Sequence, residues 1–291
     1  MSDPISVTKR LTLAGAAAAL TSACSPLSLF ATLSPKDPAR LAAQGEPYGE
    51  GARRRLDVYS PPGRPTGAPV AFFFYGGSWD SGRRQDYGWV GRAFAARGFV
   101  TVIADYRLYP EVRYPGFLED GAAAVRWAAD NAARFGGDPT RLVLSGHSAG
   151  AYNAVMLGLD GAWLDAAGVD PRHVRAVAGL SGPYDFLPLQ GEITNRVFGG
   201  TADLAATQPL AHVTPSSPPA FLATGESDDT VWPKNTVALA RRLREAGVEV
   251  EERHYPGVDH VRMVLALSRP LRGRAPVLDE MTDFLRRHAA G

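Results

Sequence analysis

Arg141 to Val155 reads RLVLSGHSAGAYNAV, and it decides how the rest of the chain is read. A short apolar run enters a glycine, Ser148 stands between Gly146 and Gly150, and an alanine-rich segment follows. That is a strand, a tight turn and a helix, with a serine at the apex. Side chains at Gly146 and Gly150 would collide with the neighbouring strand and helix. The helix that follows would bring N–H groups and the positive end of its dipole beside the serine, where negative charge can be stabilised.

Outward from this turn, apolar runs and amphipathic segments alternate. PVAFFFYGG, FVTVIADY, VRAVAGLSG, PAFLATGE and VEVEERHYPG read as strands. Between them, YGWVGRAFAARG, LEDGAAAVRWAADNAARFGG, WPKNTVALARRLREAG and VLDEMTDFLRRHA carry helical spacing and mostly close on glycine. The alternation predicts an α/β fold, a mostly parallel central sheet with helices on both faces. Ligand groups in such sheets gather on loops at the carboxyl ends of the strands.

The chain has 291 residues, a length that suits one large α/β domain or two small ones. Lys and Arg number 31 against 30 Asp and Glu, a balance that gives no reason to expect a nucleic-acid partner. ARRRL, Ala52 to Leu56, reads as a short solvated strand edge. The single cysteine, Cys24, permits no intramolecular disulfide. It follows Lys9, Arg10 and the weakly apolar run Leu11 to Ala23, a pattern that predicts residues 1–24 to be an export signal or lipoprotein leader. LTSAC is similar to a lipoprotein signal, except that Thr21 stands where Leu is usual. TKRLTL is similar to a twin-arginine signal. The expected location is therefore the periplasm of a bacterium, or a membrane to which lipidated Cys24 anchors the chain; the alternative is a cytoplasmic protein with an alanine-rich leader. Residues 25–47, rich in Pro, Ser and Ala, read as a linker, and 48–291 as the catalytic domain.

A serine hydroxyl needs a base to take its proton. Of the six histidines, His260 stands in a loop directly after the last strand, at its carboxyl end. His147 adjoins the serine and would point away from it; His173, His212, His254 and His288 lie at the wrong end of the sheet, in connections, or inside elements. The carboxylate that orients the base should come from TGESDDTVWP, which offers Glu226, Asp228 and Asp229. Asp185, in SGPYD, is a further acid on a strand-end loop, its first reading being a turn or helix-capping residue. The oxyanion formed during acyl transfer needs N–H donors, one from Ala149 and others from the glycine loop YGGSW, Tyr75 to Trp79. Trp79, Tyr152 and Trp232 are candidate walls of a substrate pocket. No Cys/His cluster and no phosphate-cradling loop is present, so no metal or organic cofactor is expected.

YGGSW, DYRLYPE (Asp105 to Glu111), GHSAG, GESDDTV and YPGVDH stand in the order and spacing of the α/β-hydrolase superfamily. From about Leu56 onward the chain resembles its carboxylesterase branch, related to hormone-sensitive-lipase-like esterases. The resemblance implies Ser148 as nucleophile, Asp228 as acid and His260 as base, with Gly77, Ser78 and Ala149 as oxyanion donors. It implies a hydrolase of small to medium acyl esters working through an acyl-enzyme. DYRLYPE is similar to a segment that supports the active-site loops. The GGSW form also resembles formamidase-like enzymes that cleave aryl amides, the alternative activity; a non-catalytic binding protein of the same fold is a further alternative. The stretch from Tyr184 to Pro219 is the only one long enough for a lid, so no large cap domain is expected. One departure stands out: Tyr75 occupies the place where the family usually has His, so the hydrogen bonding behind the oxyanion loop must differ.

Overall fold

The computed structural model describes residues 26–63 and 65–290. The leader, residues 1–24, and Cys24 lie outside the described residues. Eight strands form one sheet: β1 (Arg40–Pro47), β2 (Arg55–Ser60), β3 (Ala68–Phe74), β4 (Val100–Ala104), β5 (Gly137–His147), β6 (Val174–Leu180), β7 (Ala220–Gly225) and β8 (Val250–Tyr255). Their order is β1-β2-β4-β3-β5-β6-β7-β8. The β1–β2 and β2–β4 pairs are antiparallel; all others are parallel. Nine helices accompany the strands among the described residues: α1 (Pro26–Leu33), α2 (Gly88–Ala95), α3 (Gly116–Asn131), α4 (Ala149–Leu159), α5 (Ala162–Ala166), α6 (Glu192–Phe198), α7 (Lys234–Glu245), α8 (His260–Leu265) and α9 (Val277–Ala289).

β3, β6 and β7 are buried on both faces, which is why they read as apolar runs interrupted only by Arg175 and Thr224. Their register aligns the strand ends that matter. Phe74 pairs with Gly146, His147 with Leu180, and Gly225 with Tyr255. The loops after β3, β5, β7 and β8 therefore open on the same edge of the sheet.

Two expectations are corrected here. Residues 25–47 are not a linker from Pro26 onward, since α1 and β1 occupy most of that stretch. Phe30 of α1 packs edge-on against Trp89, with ring centroids 5.5 Å apart. Ser28 donates to the buried Asp86 carboxylate. The run ARRRL is not a solvated edge either. Arg54 pairs with the fully buried Asp120 at 2.8 Å, and Arg53 reaches across to the loop after β3. Between β6 and β7 the chain contributes α6 and short turns and no second domain. Among the described residues, no helix is long and apolar enough to cross a membrane.

Candidate active site

Ser148 sits between β5 and α4 with φ +57° and ψ −127°, a backbone conformation that costs energy for any residue but glycine. The surroundings enforce it. A Cβ at Gly146 would lie 2.2 Å from the Gly150 carbonyl oxygen, and one at Gly150 would lie 2.0 Å from that of Phe74. Both glycines are there because strand and helix leave no room, and the turn lifts the serine hydroxyl above the sheet.

His260, the first residue of α8, meets it. Its Nε2 is 2.9 Å from Ser148 Oγ, and its Nδ1 is 2.9 Å from Asp228 Oδ2. The other oxygen of Asp228 accepts from the N–H groups of Val231, at 2.8 Å, and Thr230, at 3.1 Å. Burial works against ionisation of Asp228, but the His260 ring and the Val231 N–H outweigh it and hold the carboxyl below its ordinary range. Of the three acids in GESDDTV, Asp228 alone turns inward. Asp229 faces the cavity and Glu226 is exposed.

His147, which the sequence places beside the serine and pointing away from it, anchors His260. Its Nε2–H donates to the His260 carbonyl at 2.9 Å, and the two rings lie 4.7 Å apart. Burial, and next to it the His260 ring, depress its pKa to about 3, so it is neutral. With the proton on Nε2, Nδ1 is left bare, and among the described residues it has no partner.

The loop after β3 lies directly against the serine: a Cβ at Gly76 would stand 2.9 Å from Ser148 Cβ. Gly77 has φ +127°, and its carbonyl accepts from Asp80 N–H, Ser81 N–H and the Ser81 hydroxyl, each at 3.0 Å. Ser78 and Trp79 follow with φ +51° and +60°. Among the described residues, the N–H groups of Gly77, Ser78 and Ala149 have no acceptor. A cavity of about 420 Å³ opens over Ser148, lined by Ser78 and Ala149 below, Phe186 and Ile193 on one side, and Trp232 at the rim. Gly77 does not line it.

This geometry coincides with a family match: the model described as BD-FAE fits residues 56–243. The chain belongs to the BD-FAE family. A protein of Oryza sativa subsp. japonica named "Probable isoprenylcysteine alpha-carbonyl methylesterase ICMEL1" is 31% identical over 261 residues, 82% of this chain and 61% of its own. The chain thus spans 61% of that relative's length. Carboxylesterase NlhH of Mycobacterium tuberculosis (strain ATCC 25618 / H37Rv) is 30% identical over 253 residues, 75% of this chain and 74% of its own. A solved structure described as a truncated carbohydrate esterase from gut microbiota shares the α/β-hydrolase fold. It has a TM-score of 0.76 at 20% identity, and the match covers 89% of this chain and 99% of that one.

Two of the three expected pocket aromatics of this BD-FAE chain stand at the cavity. Trp232 is 56% exposed, its indole N–H held by the Asp229 carbonyl and the Lys234 ammonium over its ring. Trp79 lines the floor but is almost wholly buried, its N–H bonded to Asn153 at 3.0 Å. Tyr152 is not a wall. It is fully buried behind Trp79, with its hydroxyl on the Thr207 carbonyl, because the first turn of α4 faces the core. Asp185 sits in the bend after β6, where it lines the cavity and caps no helix. Sequence reading missed Asn235, whose buried side-chain oxygen accepts from the N–H groups of Tyr184 and Asp185 and so fixes the segment that covers the cavity. Nothing local marks it, since its partners are 51 and 50 residues away.

Proposed function

We propose that this BD-FAE protein is a serine hydrolase of small to medium carboxylic esters. The observation that carries the reading is His260, one nitrogen within hydrogen-bond distance of Ser148 Oγ and the other of Asp228. In the first step Ser148 Oγ bonds to the ester carbonyl carbon as its proton moves to His260 Nε2. The carbonyl electron pair moves to oxygen, where the N–H groups of Ser78 and Ala149, which line the cavity, receive the charge. Collapse of the tetrahedral intermediate breaks the bond to the alkoxy oxygen, which takes the proton from His260 and leaves as alcohol. Water then repeats the sequence on the acyl-enzyme and frees the acid and Ser148. Asp228, held ionised, keeps the Nδ1–H of His260 oriented and stabilises the imidazolium formed in each half-reaction. The names of the relatives, a carboxylesterase and a methylesterase, support the reaction type.

The test is hydrolysis of p-nitrophenyl acyl esters of increasing chain length, with fluorophosphonate labelling alongside. Turnover and labelling are expected in the parent and absent in Ser148→Ala, and Asp228→Asn is expected to lower kcat by roughly 10³-fold or more. A parent inert to both ester and probe would overturn the reading.

A further inference from the structure

Tyr75 stands at the head of the oxyanion loop, fully buried and stacked between Tyr87 and Tyr106 at 5.4 and 4.9 Å. Its hydroxyl donates to Asp105 Oδ1 at 2.9 Å and accepts from Arg53 Nη2 at 3.0 Å. The same guanidinium nitrogen donates to the Gly82 carbonyl at 2.7 Å, and Arg53 Nε donates to the Tyr106 carbonyl at 2.9 Å. One side chain therefore touches both ends of the loop, Tyr75 before it and Gly82 after it. It also ties them to the loop that follows β4. Gly82 has no slack of its own. Its φ is +101°, and a Cβ there would lie 2.8 Å from both the Gly76 carbonyl oxygen and the Tyr75 ring. Asp105 closes the arrangement from below by accepting from the Arg84 N–H at 2.7 Å and from the Arg84 guanidinium.

We propose that Arg53 is a positioning residue for the oxyanion loop: its fork fixes Tyr75 and Gly82, and through them the backbone of Gly77 and the direction of the Ser78 N–H group. Arg53 lies before residue 56, where the family match begins. The support therefore comes from the N-terminal segment of this chain, and it works with Tyr75 where a histidine was expected. A planar guanidinium with several fixed donors can serve three acceptors at once; an ammonium cannot do so in the same geometry. The proposal rests on the reading of Ser148 as an ester nucleophile.

Three variants of the full chain test it: Arg53→Met, Arg53→Lys and Tyr75→Phe. Leu285→Ala, a buried substitution in α9, serves as a control that is merely destabilised. Each is assayed for kcat and KM on a p-nitrophenyl ester well below its melting temperature. Each is also assayed for inhibition by phenylboronic acid, which forms an anionic tetrahedral adduct on an active serine. A misdirected Ser78 donor is expected to cost Arg53→Met about 10- to 100-fold in kcat, with KM changed less than about 3-fold. Boronate affinity should fall in parallel with kcat, and Arg53→Lys should lie in between. If Arg53→Met does not fold, Arg53→Lys and Tyr75→Phe are judged by the same criteria. Parental kcat and boronate affinity in the Arg53 variants, with only a melting temperature lowered as in Leu285→Ala, would overturn the proposal. An inactive parent that also fails to label would bring down the ester reading itself, and this proposal with it.

Discussion

His147 is neutral in the folded protein because burial and the adjoining His260 ring disfavour its charge, and its pKa lies near 3. In the unfolded chain the same ring titrates around 6.5. Between those values the unfolded state binds the extra proton, so stability falls as pH drops from about 6.5 toward 3. The slope from this one group approaches about 1.4 kcal/mol per pH unit. Melting temperatures from pH 7 to pH 4.5 should therefore decline more steeply for the parent than for His147→Gln, which cannot take up a proton. Parallel curves would show that His147 does not set the acid limit. Asp228 adds to the same trend: its carboxyl is held below the ordinary range, so its contribution is present at neutral pH and is lost as pH falls through that depressed value. Ser148 and His260 were legible because each lies at a strand end within a short local pattern; the loop after β7 left Glu226, Asp228 and Asp229 open, and the family resemblance alone singled out Asp228. The duty of His147 was not legible, because its acceptor is the backbone carbonyl of a residue 113 positions away.

Secondary structure was legible where burial writes a pattern and obscure where it does not. β3 is apolar throughout, and β6 and β7 are broken only by Arg175 and Thr224, because helices cover both faces. β1, RLAAQGEP, is a half-exposed edge strand with neither an apolar run nor clean alternation, and it resembles a linker for that reason. α1 is eight residues long and carries two exposed leucines, Leu29 and Leu33, so its inward face is thin. A chain beginning at Tyr48 would lose both elements and leave the β2 edge unpaired. It is expected to melt at least several degrees lower and to aggregate on heating, as scanning calorimetry and light scattering would detect. An unchanged melting temperature would mean that α1 and β1 are passengers. At the elbow, Gly150→Ala would drive a methyl into the Phe74 carbonyl, with an expected loss of about 3 kcal/mol or more in urea unfolding.

At the scale of the whole molecule, the sheet works as a frame that carries motifs far apart in the chain to one edge. Ser148, Asp228 and His260 span 112 residues, yet the parallel register of β5 through β8 delivers their loops side by side. The segment between β6 and β7 contributes α6 and turns that cover the cavity, with no second domain. The rim and the floor of that cavity carry tryptophans in opposite surroundings. Of the five tryptophans, Trp232 alone is exposed; Trp127 and Trp163 are half-buried and Trp79 and Trp89 buried. The red edge of the emission spectrum therefore draws most heavily on Trp232, 84 positions from the serine in sequence but on the same cavity. Iodide should quench that component first, and Trp232→Phe should remove it. A product acid or a non-hydrolysable ester analogue entering the cavity should shield it, giving an optical record of occupancy in the Ser148→Ala protein, where no colour is ever released.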